Sequence, residues 1–254
     1  TMAIVFFDID QTLAIGTWIP DSARKGLSLL KENGHKVFLC TGRNVSYARK
    51  HFGDLADGFI TNNGTLAYYE GDFIYDRPMD HELVQTIVDI LEECEAGYAF
   101  HSKHQGYYGG PAELYDTVAV VGDEGYLLKG LKEEESYYSF DVGFYDVRQR
   151  ELIRERLKDW CIMNPHGPHP SADMTTFASD KAKALTSVIQ HLGYPKEDSY
   201  AFGDGINDIT MMKAAGHGIA MGNGQEKTRE AAEYVTAPID EDGVWLALKH
   251  YKLI

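Results

Sequence analysis

The stretch IVFFDIDQTL, residues 4–13, decides how the rest of the chain is interpreted. Four apolar residues, the pattern of a strand buried on both faces, run directly into Asp8 and Asp10. Carboxylates placed this close repel each other, and the repulsion raises their pKa values. Such a pair is unfavourable unless a cation or another partner compensates the charge. The segment therefore predicts a functional site at the end of the first strand.

The two ends of the chain alternate between strand and helix patterns. Apolar runs that end in turn residues predict buried strands at KVFLC (36–40), GFIT (58–61) and SYAFGDG (199–205). DKAKALTSVIQHLG (180–193) has the spacing of an amphipathic helix. This alternation is typical of an open parallel sheet with helices on its faces.

The middle of the chain is richer in Tyr and Glu, and its predicted order is helix, strands, helix. HELVQTIVDILEECE is an amphipathic helix, and RQRELIRERLKDW is a second one. We therefore predict an α/β fold with a doubly wound (Rossmann-like), mostly parallel sheet core formed by residues 1–79 and 172–254. Residues 80–171 are predicted to form an inserted α+β cap domain.

Composition limits the partners that we expect. The formal net charge of −15 disfavours nucleic acid and anionic membrane surfaces, since both require clustered Lys and Arg. Cys40, Cys94 and Cys161 match no metal-binding spacing and suit a reducing compartment. No signal peptide and no apolar run of membrane-spanning length is evident. We expect a cytoplasmic protein that binds neither nucleic acid nor membrane.

Polar residues directly follow three apolar runs, in FFDID, FLCTG and YAFGDGIND. The carboxyl ends of neighbouring parallel strands form one edge of a sheet, where ligands bind. If these strands are neighbours, Asp8, Asp10, Asp204 and Asp208 converge. Four carboxylates at one point require a cation, and a hard, oxygen-binding ion such as Mg²⁺ fits best.

Four motifs carry a resemblance to a known family. DIDQT, CTGR, DKAKAL and GDGIND, in that order, resemble the four motifs of the haloacid dehalogenase superfamily of phosphotransferases. The insertion between CTGR and DKAKAL resembles the type C2B cap of the Cof-like subfamily. The segment IAMGNG and the later EAAEYVTAPIDEDGV resemble the C-terminus of that subfamily. The resemblance spans nearly all of the chain outside the cap, where only position and composition match.

The resemblance implies a two-step reaction. Asp8 is expected to attack a phosphoryl group and form an aspartyl-phosphate, and Asp10 to act as general acid for the leaving oxygen and then as base for water. Environments that separate the pKa values of two carboxylates allow this division of roles.

The resemblance also implies a binding set. The expected Mg²⁺ ligands are Asp8, Asp204, Asp208 and, through its backbone carbonyl, Asp10. The expected phosphate-binding residues are Thr41, Gly42, Lys181 and Asn207. Asn207 and Asp208 could instead orient Lys181 and metal-bound water.

The chain departs from the family at one position. Family members usually have glycine after the second aspartate, and Gln11 stands there instead. Because Gln11 has a Cβ, we expect its turn to avoid a strongly positive φ. Asp8, Asp10 and Thr12 are retained, so we expect catalysis to be retained.

Four cap residues are candidates for substrate specificity: His101, His104, Tyr107 and Tyr108. They could line a cap face above the catalytic site, or they could be ordinary surface residues of a strand. A zinc site is not predicted, since no cysteine accompanies the histidines.

The predicted function is Mg²⁺-dependent hydrolysis of a small phosphate monoester, such as a sugar phosphate or related metabolite. Two alternatives are a phosphosugar mutase that uses the same intermediate and a non-catalytic regulator that binds phosphorylated metabolites. Retention of Asp8 and Asp10 argues against the regulator, since binding alone needs no acid or base. Whether the protein is a monomer or a homodimer stays open.

Overall fold

The computed structural model of this protein describes residues 2–119, 125–177 and 179–254. The chain divides into two compact units. The core unit comprises Thr1–Arg43, Ala48–Asp76 and Asp180–Ile254. The cap unit comprises Asn44–Tyr47 and Arg77–Ser179.

Strands and helices are numbered in chain order. The strands are β1 (Ile4–Asp8), β2 (Lys36–Cys40), β3 (Gly58–Thr61), β4 (Leu66–Tyr69), β5 (Asp72–Asp76), β6 (Gly97–His101), β7 (Gly106–Gly109), β8 (Leu127–Lys129), β9 (Ser139–Gly143), β10 (Cys161–Pro165), β11 (Ser171–Thr176), β12 (Ser199–Gly203), β13 (His217–Ala220) and β14 (Tyr234–Val235). The helices are α1 (Asp21–Glu32), α2 (Val45–Phe52), α3 (His81–Glu93), α4 (Tyr115–Val118), α5 (Val147–Leu157), α6 (Lys181–Leu192), α7 (Ile209–Ala214), α8 (Glu226–Ala231) and α9 (Gly243–His250).

The core unit contains one sheet in the order β14-β13-β12-β1-β2-β3-β4-β5. The strands from β14 to β3 are parallel, and β4 and β5 form an antiparallel hairpin at one edge. From β1 the chain continues to β2 on one side, and β12 lies on the other, so the strand order reverses here. Ligands bind at such a reversal in open α/β sheets. The predicted mostly parallel sheet is confirmed.

The central strand is buried on both faces, as its apolar run predicts. Ile4 and Phe6 pack in one cluster with Ala184 and Val188 of α6. On the other face, the ring of Phe7 stacks on Phe202 with 4.6 Å between centroids. This packing fixes the strands whose carboxyl ends carry the polar residues.

The cap unit is an α+β structure of its own. Its sheet has the order β10-β11-β9-β6-β7-β8, and it is antiparallel except for the β7–β8 pair. Buried residues of α3 and α5, among them Ile87 and Ile153, pack in a cluster with Phe100 and Phe140 of the sheet. Those two rings stack with 4.7 Å between centroids.

The boundaries of the cap differ from the predicted residues 80 and 171. The cap unit begins at Arg77 and ends at Ser179. Strand β11 pairs with both β10 and β9, which places it inside the cap sheet. At the other boundary, the Met79 amide donates to the Tyr137 carbonyl at 2.7 Å, and the Met79 side chain is part of the cap cluster.

Among the described residues, none of the helices combines the length and the apolar character needed to cross a lipid bilayer.

Replacing Phe202 by Ala removes a fully buried ring that stacks on the strand before Asp8. We expect Phe202→Ala to lower the free energy of unfolding by about 3–5 kcal/mol, because the ring leaves a cavity. Urea unfolding followed by circular dichroism measures this change. Leu246→Ala on α9 is the control, since Leu246 is 45% exposed and its loss should have an effect below about 1 kcal/mol. Equal effects of the two substitutions would contradict the packing described here.

Candidate active site

Three neighbouring strands bring polar residues to one edge of the core sheet. Asp8 is the last residue of β1, and it lies in register with Cys40, the last residue of β2. On the other side, Phe7 lies in register with Phe202 of β12. Thr41 and Asp204 directly follow β2 and β12, so the ends of all three strands meet where the strand order reverses.

Lys181 is buried between two carboxylates. Its Nζ donates to Asp8 Oδ1 at 2.7 Å and to Asp208 Oδ1 at 2.8 Å, and the residue is only 5% exposed. Burial lowers the pKa of Lys181, but the charges of Asp208 and Asp8 outweigh burial, so the pKa is raised and the lysine stays charged. Lys181 thus links β1 to the loop after β12.

The start of α6 places this lysine. Asp180 caps the helix by accepting a hydrogen bond from the Ala182 amide at 2.8 Å. The turn at Gly64 packs directly on the helix start, and a Cβ at Gly64 would lie 2.4 Å from the Lys181 backbone nitrogen. Gly64 also has a φ of +84°, so glycine is required there for two reasons.

Three carboxylates form a compact group. One oxygen each from Asp8, Asp204 and Asp208 lie within 4.8 Å of one another. Asp208 Oδ2 also accepts from the backbone amides of Asp204 and Gly205, at 3.1 and 3.0 Å. Asp208 therefore holds both Lys181 and the loop that carries Asp204.

The electrostatics of the group favour a cation. Burial raises the pKa of Asp8 well above its usual range, the charge of Asp208 raises it further, and Lys181 opposes both. Burial and the charge of Asp208 raise the pKa of Asp204 to about 6. Three carboxylates face one lysine, which leaves an excess of negative charge. An all-oxygen donor set with such an excess fits a hard divalent cation.

The Asp10 side chain lies outside this group of three. Asp10 is exposed, although its charge is near enough to raise the pKa of Asp204. The prediction that four carboxylates converge is therefore wrong for Asp10. Strand β1 ends at Asp8, and the turn that follows leaves Asp10 on the surface, where its carboxyl group is accessible.

Gln11 adopts a positive φ of +65°, so the prediction that this turn avoids such a value is wrong. The amides of Thr12, Leu13 and Ala14 all donate to the Ile9 carbonyl, at 3.3, 2.9 and 2.8 Å. Gln11 itself donates to the Ala14 carbonyl at 2.8 Å. These bonds define a tight turn in which Gln11 takes the left-handed conformation despite its Cβ.

Apart from Lys181 at the start of α6, the predicted phosphate-binding residues lie after β2 and β12. Thr41 is 1% exposed, and its hydroxyl oxygen accepts from the Arg43 amide at 3.1 Å. Beside it, Gly42 leaves room for Asn63, whose Oδ1 lies 2.8 Å from the position of a Gly42 Cβ. Asn207 is exposed in the turn that follows Asp204.

Thr12 contributes to the site in a way that the sequence interpretation missed. Its hydroxyl donates to Asp204 Oδ1 at 2.9 Å, and the residue is fully buried. This bond joins the turn after β1 to the loop after β12. The retained Asp-x-Asp-x-Thr pattern was a usable signal, but the identity of the partner depends on sheet order.

The four cap candidates occupy different environments. Tyr107 is 3% exposed in the cap cluster, with its hydroxyl bonded to Glu135 at 3.1 Å. It is therefore a core residue of the cap, and neither alternative given for it, a cap face above the site or ordinary surface, describes it. Alternation along β7 turns its neighbour Tyr108 to the other face, against Tyr115. His104 is exposed in a turn.

His101 is buried in the cap unit and is hydrogen-bonded through both ring nitrogens. Nδ1 pairs with the Tyr126 hydroxyl at 3.1 Å, and Nε2 pairs with Asp141 Oδ2 at 2.8 Å. Burial raises the pKa of Asp141, and His101 opposes that rise. Its exposed fraction is 6%. These bonds fix the imidazole within the cap.

A comparison with protein families agrees with this geometry. The model of a family described as haloacid dehalogenase-like hydrolase matches residues 5–248. The chain belongs to this family. The family match and the relatives place it among the Cof-like members of the haloacid dehalogenase superfamily.

Similar proteins are phosphatases. Phosphatase YwpJ of Bacillus subtilis is 38% identical, with 98% of this chain and 99% of that protein covered. The 5-amino-6-(5-phospho-D-ribitylamino)uracil phosphatase YcsE of the same species is 28% identical, with 98% and 96% covered. Among solved structures, the subclass IIB sugar phosphatase BT4131 is 31% identical over the full length of both chains, with a TM-score of 0.80. This haloacid dehalogenase-like hydrolase is a phosphatase that hydrolyses phosphoric monoesters.

The carboxylate group predicts an unusual pH dependence of stability without metal. The pKa of Asp204 is about 6 in the folded chain, against about 3.9 in an unfolded one. The folded chain holds the proton more tightly, so the free energy of unfolding falls as pH rises from about 4 through about 6. Asp204→Asn removes this charge and should therefore stabilise the metal-free protein at pH 8 by roughly 1–3 kcal/mol. The gain should vanish near pH 4.

Thermal and urea unfolding in EDTA, at pH 4 and pH 8, measure this difference. Asp72→Asn, at an exposed carboxylate that begins β5, should leave stability unchanged at both pH values. If Asp204→Asn is less stable than the parent at pH 8 without metal, the electrostatic description of the group is wrong.

Proposed function

We propose that this phosphatase requires Mg²⁺ and hydrolyses small phosphate monoesters, such as sugar phosphates or related metabolites, through an aspartyl-phosphate on Asp8. The observation that carries the proposal is the buried Lys181, which bridges Asp8 and Asp208 within a group of three carboxylates. A carboxylate fixed by a buried cation is both held in place and kept beside positive charge. These are the requirements for a nucleophile that attacks an anionic phosphoryl group.

The chain supplies the groups for both steps. An Asp8 oxygen bonds to phosphorus while the bond from phosphorus to the leaving oxygen breaks, and Asp10 donates a proton to that oxygen. Asp10 then takes a proton from water, whose oxygen attacks the phosphorus, so inorganic phosphate leaves and Asp8 is regenerated. The exposed position of Asp10 supports this role, because the acid must reach a leaving group that comes from solvent.

The phosphoryl oxygens require neutralising donors. Lys181 provides a charge, Thr41 a hydroxyl, Gly42 a backbone amide and Asn207 a side-chain amide. The absence of a side chain at Gly42 supports close approach of the backbone to phosphate. We assign these four residues to phosphate binding.

The carboxylates of Asp8, Asp204 and Asp208 and the backbone carbonyl of Asp10 are the proposed ligands of Mg²⁺. The ion would supply positive charge between the nucleophile and the phosphoryl anion. The Thr12 hydroxyl and the amides that bind Asp208 would orient these ligands.

Relatives support the substrate class. YcsE and BT4131 are named for a phosphoribityl compound and for sugar phosphates, both of which are phosphate esters of hydroxyl-bearing carbon chains. We propose a leaving group of the same kind here, recognised by the inserted cap, which we assign to type C2B. Neither nucleic acid nor a membrane is a proposed partner.

The cysteines support a cytoplasmic location. All three of them are described, and each is a buried thiol outside any disulfide bond. This state fits a reducing compartment.

The proposal is tested with a panel of several dozen phosphate monoesters, scored by release of inorganic phosphate with Mg²⁺ and then with EDTA. Phosphate release that depends on Mg²⁺ supports the proposal. Phosphate release that is unchanged in EDTA contradicts the proposed requirement for Mg²⁺. An isomerised sugar phosphate without phosphate release, detected by phosphorus NMR, indicates a mutase. Ligand binding without any turnover of the panel or of p-nitrophenyl phosphate indicates a regulator.

Asp8→Asn tests the nucleophile directly. The substitution keeps the size of the side chain and a hydrogen bond acceptor for Lys181 but removes the negative charge that attacks phosphorus. We expect kcat to fall by at least about 10³-fold on every substrate of the panel. Steady-state phosphate release measures this loss.

Asp57→Asn is the matched control for the Asp8 substitution. Asp57 accepts a hydrogen bond from the Val37 amide near the amino ends of β2 and β3, whereas Asp8 lies at a carboxyl end, so replacement of Asp57 should change kcat less than two-fold. Circular dichroism confirms that both variants are folded. A folded Asp8→Asn protein with near-parental kcat would remove Asp8 as the nucleophile.

A further inference from the structure

The turn that carries Asp10 holds a conformation that its sequence does not favour. Gln11 has a φ of +65°, a value that side chains with a Cβ adopt at a cost. A strained turn between Asp10 and Thr12 persists only if surrounding contacts hold it. The bonds within the turn involve the amides of residues 11–14, and they leave the Gln11 carbonyl to an outside partner.

That partner is Asn223, in the loop after β13. Asn223 Nδ2 donates to the Gln11 carbonyl at 2.9 Å. Its Oδ1 accepts from the Ile239 amide, also at 2.9 Å. Ile239 is 4% exposed, so the amide side chain is anchored on a buried residue and reaches from there to the strained turn. Both polar atoms of a single exposed side chain are thus used to join two distant segments.

The same loop also contacts the carboxylate group. The Gln225 amide donates to the Asp204 carbonyl at 2.9 Å. A Cβ at Gly224 would lie 3.2 Å from the Asp204 Cα. The loop is therefore packed on one side of the site and bonded through Asn223 to the other side. The loop therefore connects Asp204 to the Asp10 turn, in addition to the direct bond from the Thr12 hydroxyl to Asp204.

We propose that Asn223 is a positioning residue for the general acid: it holds the Gln11 peptide in its left-handed conformation and so fixes the direction of Asp10. Without this bond the turn relaxes toward a negative φ at Gln11, and the peptides on both sides of Gln11 rotate. The inference rests on the proposed role of Asp10 as general acid. Nothing in it requires Asn223 to touch the substrate.

A role through Asp10 has a signature that a purely structural role lacks. General acid catalysis matters most when the leaving oxygen is strongly basic, because such an oxygen needs the proton in order to leave. An acidic phenol leaves almost without help. Phenyl phosphate and p-nitrophenyl phosphate share the same aryl ester linkage, and the nitro group of the second strongly lowers the basicity of its leaving oxygen. The ratio of their kcat/KM values therefore reports on the acid.

The experiment compares Asn223→Asp with the parent on a series of substituted phenyl phosphates. Aspartate keeps the acceptor for the Ile239 amide but replaces the donor to the Gln11 carbonyl by an oxygen. We expect kcat/KM for phenyl phosphate to fall by about 10–100-fold, and that for p-nitrophenyl phosphate to fall much less. Asn223→Ala, at the same exposed position, is measured alongside in case the aspartate variant does not fold.

Two further variants sharpen the comparison. Asn33→Asp is the matched control, since Asn33 Nδ2 also donates to a carbonyl, that of Leu253 at 3.0 Å. Asn33 precedes the amino end of β2, whereas the Asp10 turn follows the carboxyl end of β1. Asn33→Asp should leave the ratio of the two kcat/KM values unchanged.

Gln11→Gly accepts a positive φ without steric conflict. We expect Asn223→Asp also to lower the melting temperature, which is a readout independent of catalysis. Adding Gln11→Gly to it should restore most of the phenyl phosphate activity and most of the melting temperature.

Asp10→Asn in the same series separates failure of the inference from failure of the proposed function. If Asp10→Asn lowers all esters equally, the proposed general acid is wrong. If Asp10→Asn selectively lowers phenyl phosphate turnover while Asn223→Asp lowers both esters by the same factor, Asn223 is only a loop contact and the inference is overturned. Absence of rescue by Gln11→Gly also overturns it.

Discussion

The buried contact of Lys181 with Asp8 and Asp208 is the interaction on which the rest of the site depends. It joins the end of the central strand, the start of a helix that follows the cap, and the loop after a neighbouring strand. Removing a charge from water is unfavourable, and only close opposite charges make this placement tolerable. The core sheet brings these segments together, because β1 lies between β2 and β12 and its apolar face packs on α6.

The lysine does not neutralise the group completely. Three carboxylates remain against one ammonium, and burial together with mutual repulsion raises the pKa of Asp8 and Asp204. The metal-free fold therefore carries a local electrostatic cost at a place where a cation and a phosphoryl group would fit. Contacts outside the group, such as the Thr12 hydroxyl on Asp204, hold the carboxylates in position. The excess of negative charge that suits the proposed metal site therefore lowers the stability of the metal-free fold.

The sequence was sufficient for the core and for most of the candidate site. The end of β1 at Asp8 and the end of β12 just before Asp204 follow from buried apolar runs, and helix α6 lies within the amphipathic segment 180–193. The sequence was insufficient where contacts between distant segments determine the local conformation or the strand pairing. The positive φ of Gln11 belongs to a turn that also contacts Asn223, a residue far away in the chain. Tyr107 and Tyr108 are adjacent and identical, so their sequence does not indicate which faces the cap cluster. Pairing of β11 with β9 involves residues far apart in the chain, which is why the cap boundary was placed too early.

Strand β11 has a consequence for the way in which such enzymes diversify. It lies within the cap sheet, between β10 and β9, and the chain reaches Lys181 only a few residues after β11 ends at Thr176. A recombination event that exchanges cap units between related enzymes must therefore cut between Thr176 and Lys181, or it separates β11 from the rest of the cap sheet. The junction must keep β11 with the cap sheet and Lys181 with the core, and few positions in the chain satisfy both conditions. The short spacing between β11 and Lys181 therefore limits which caps can be exchanged.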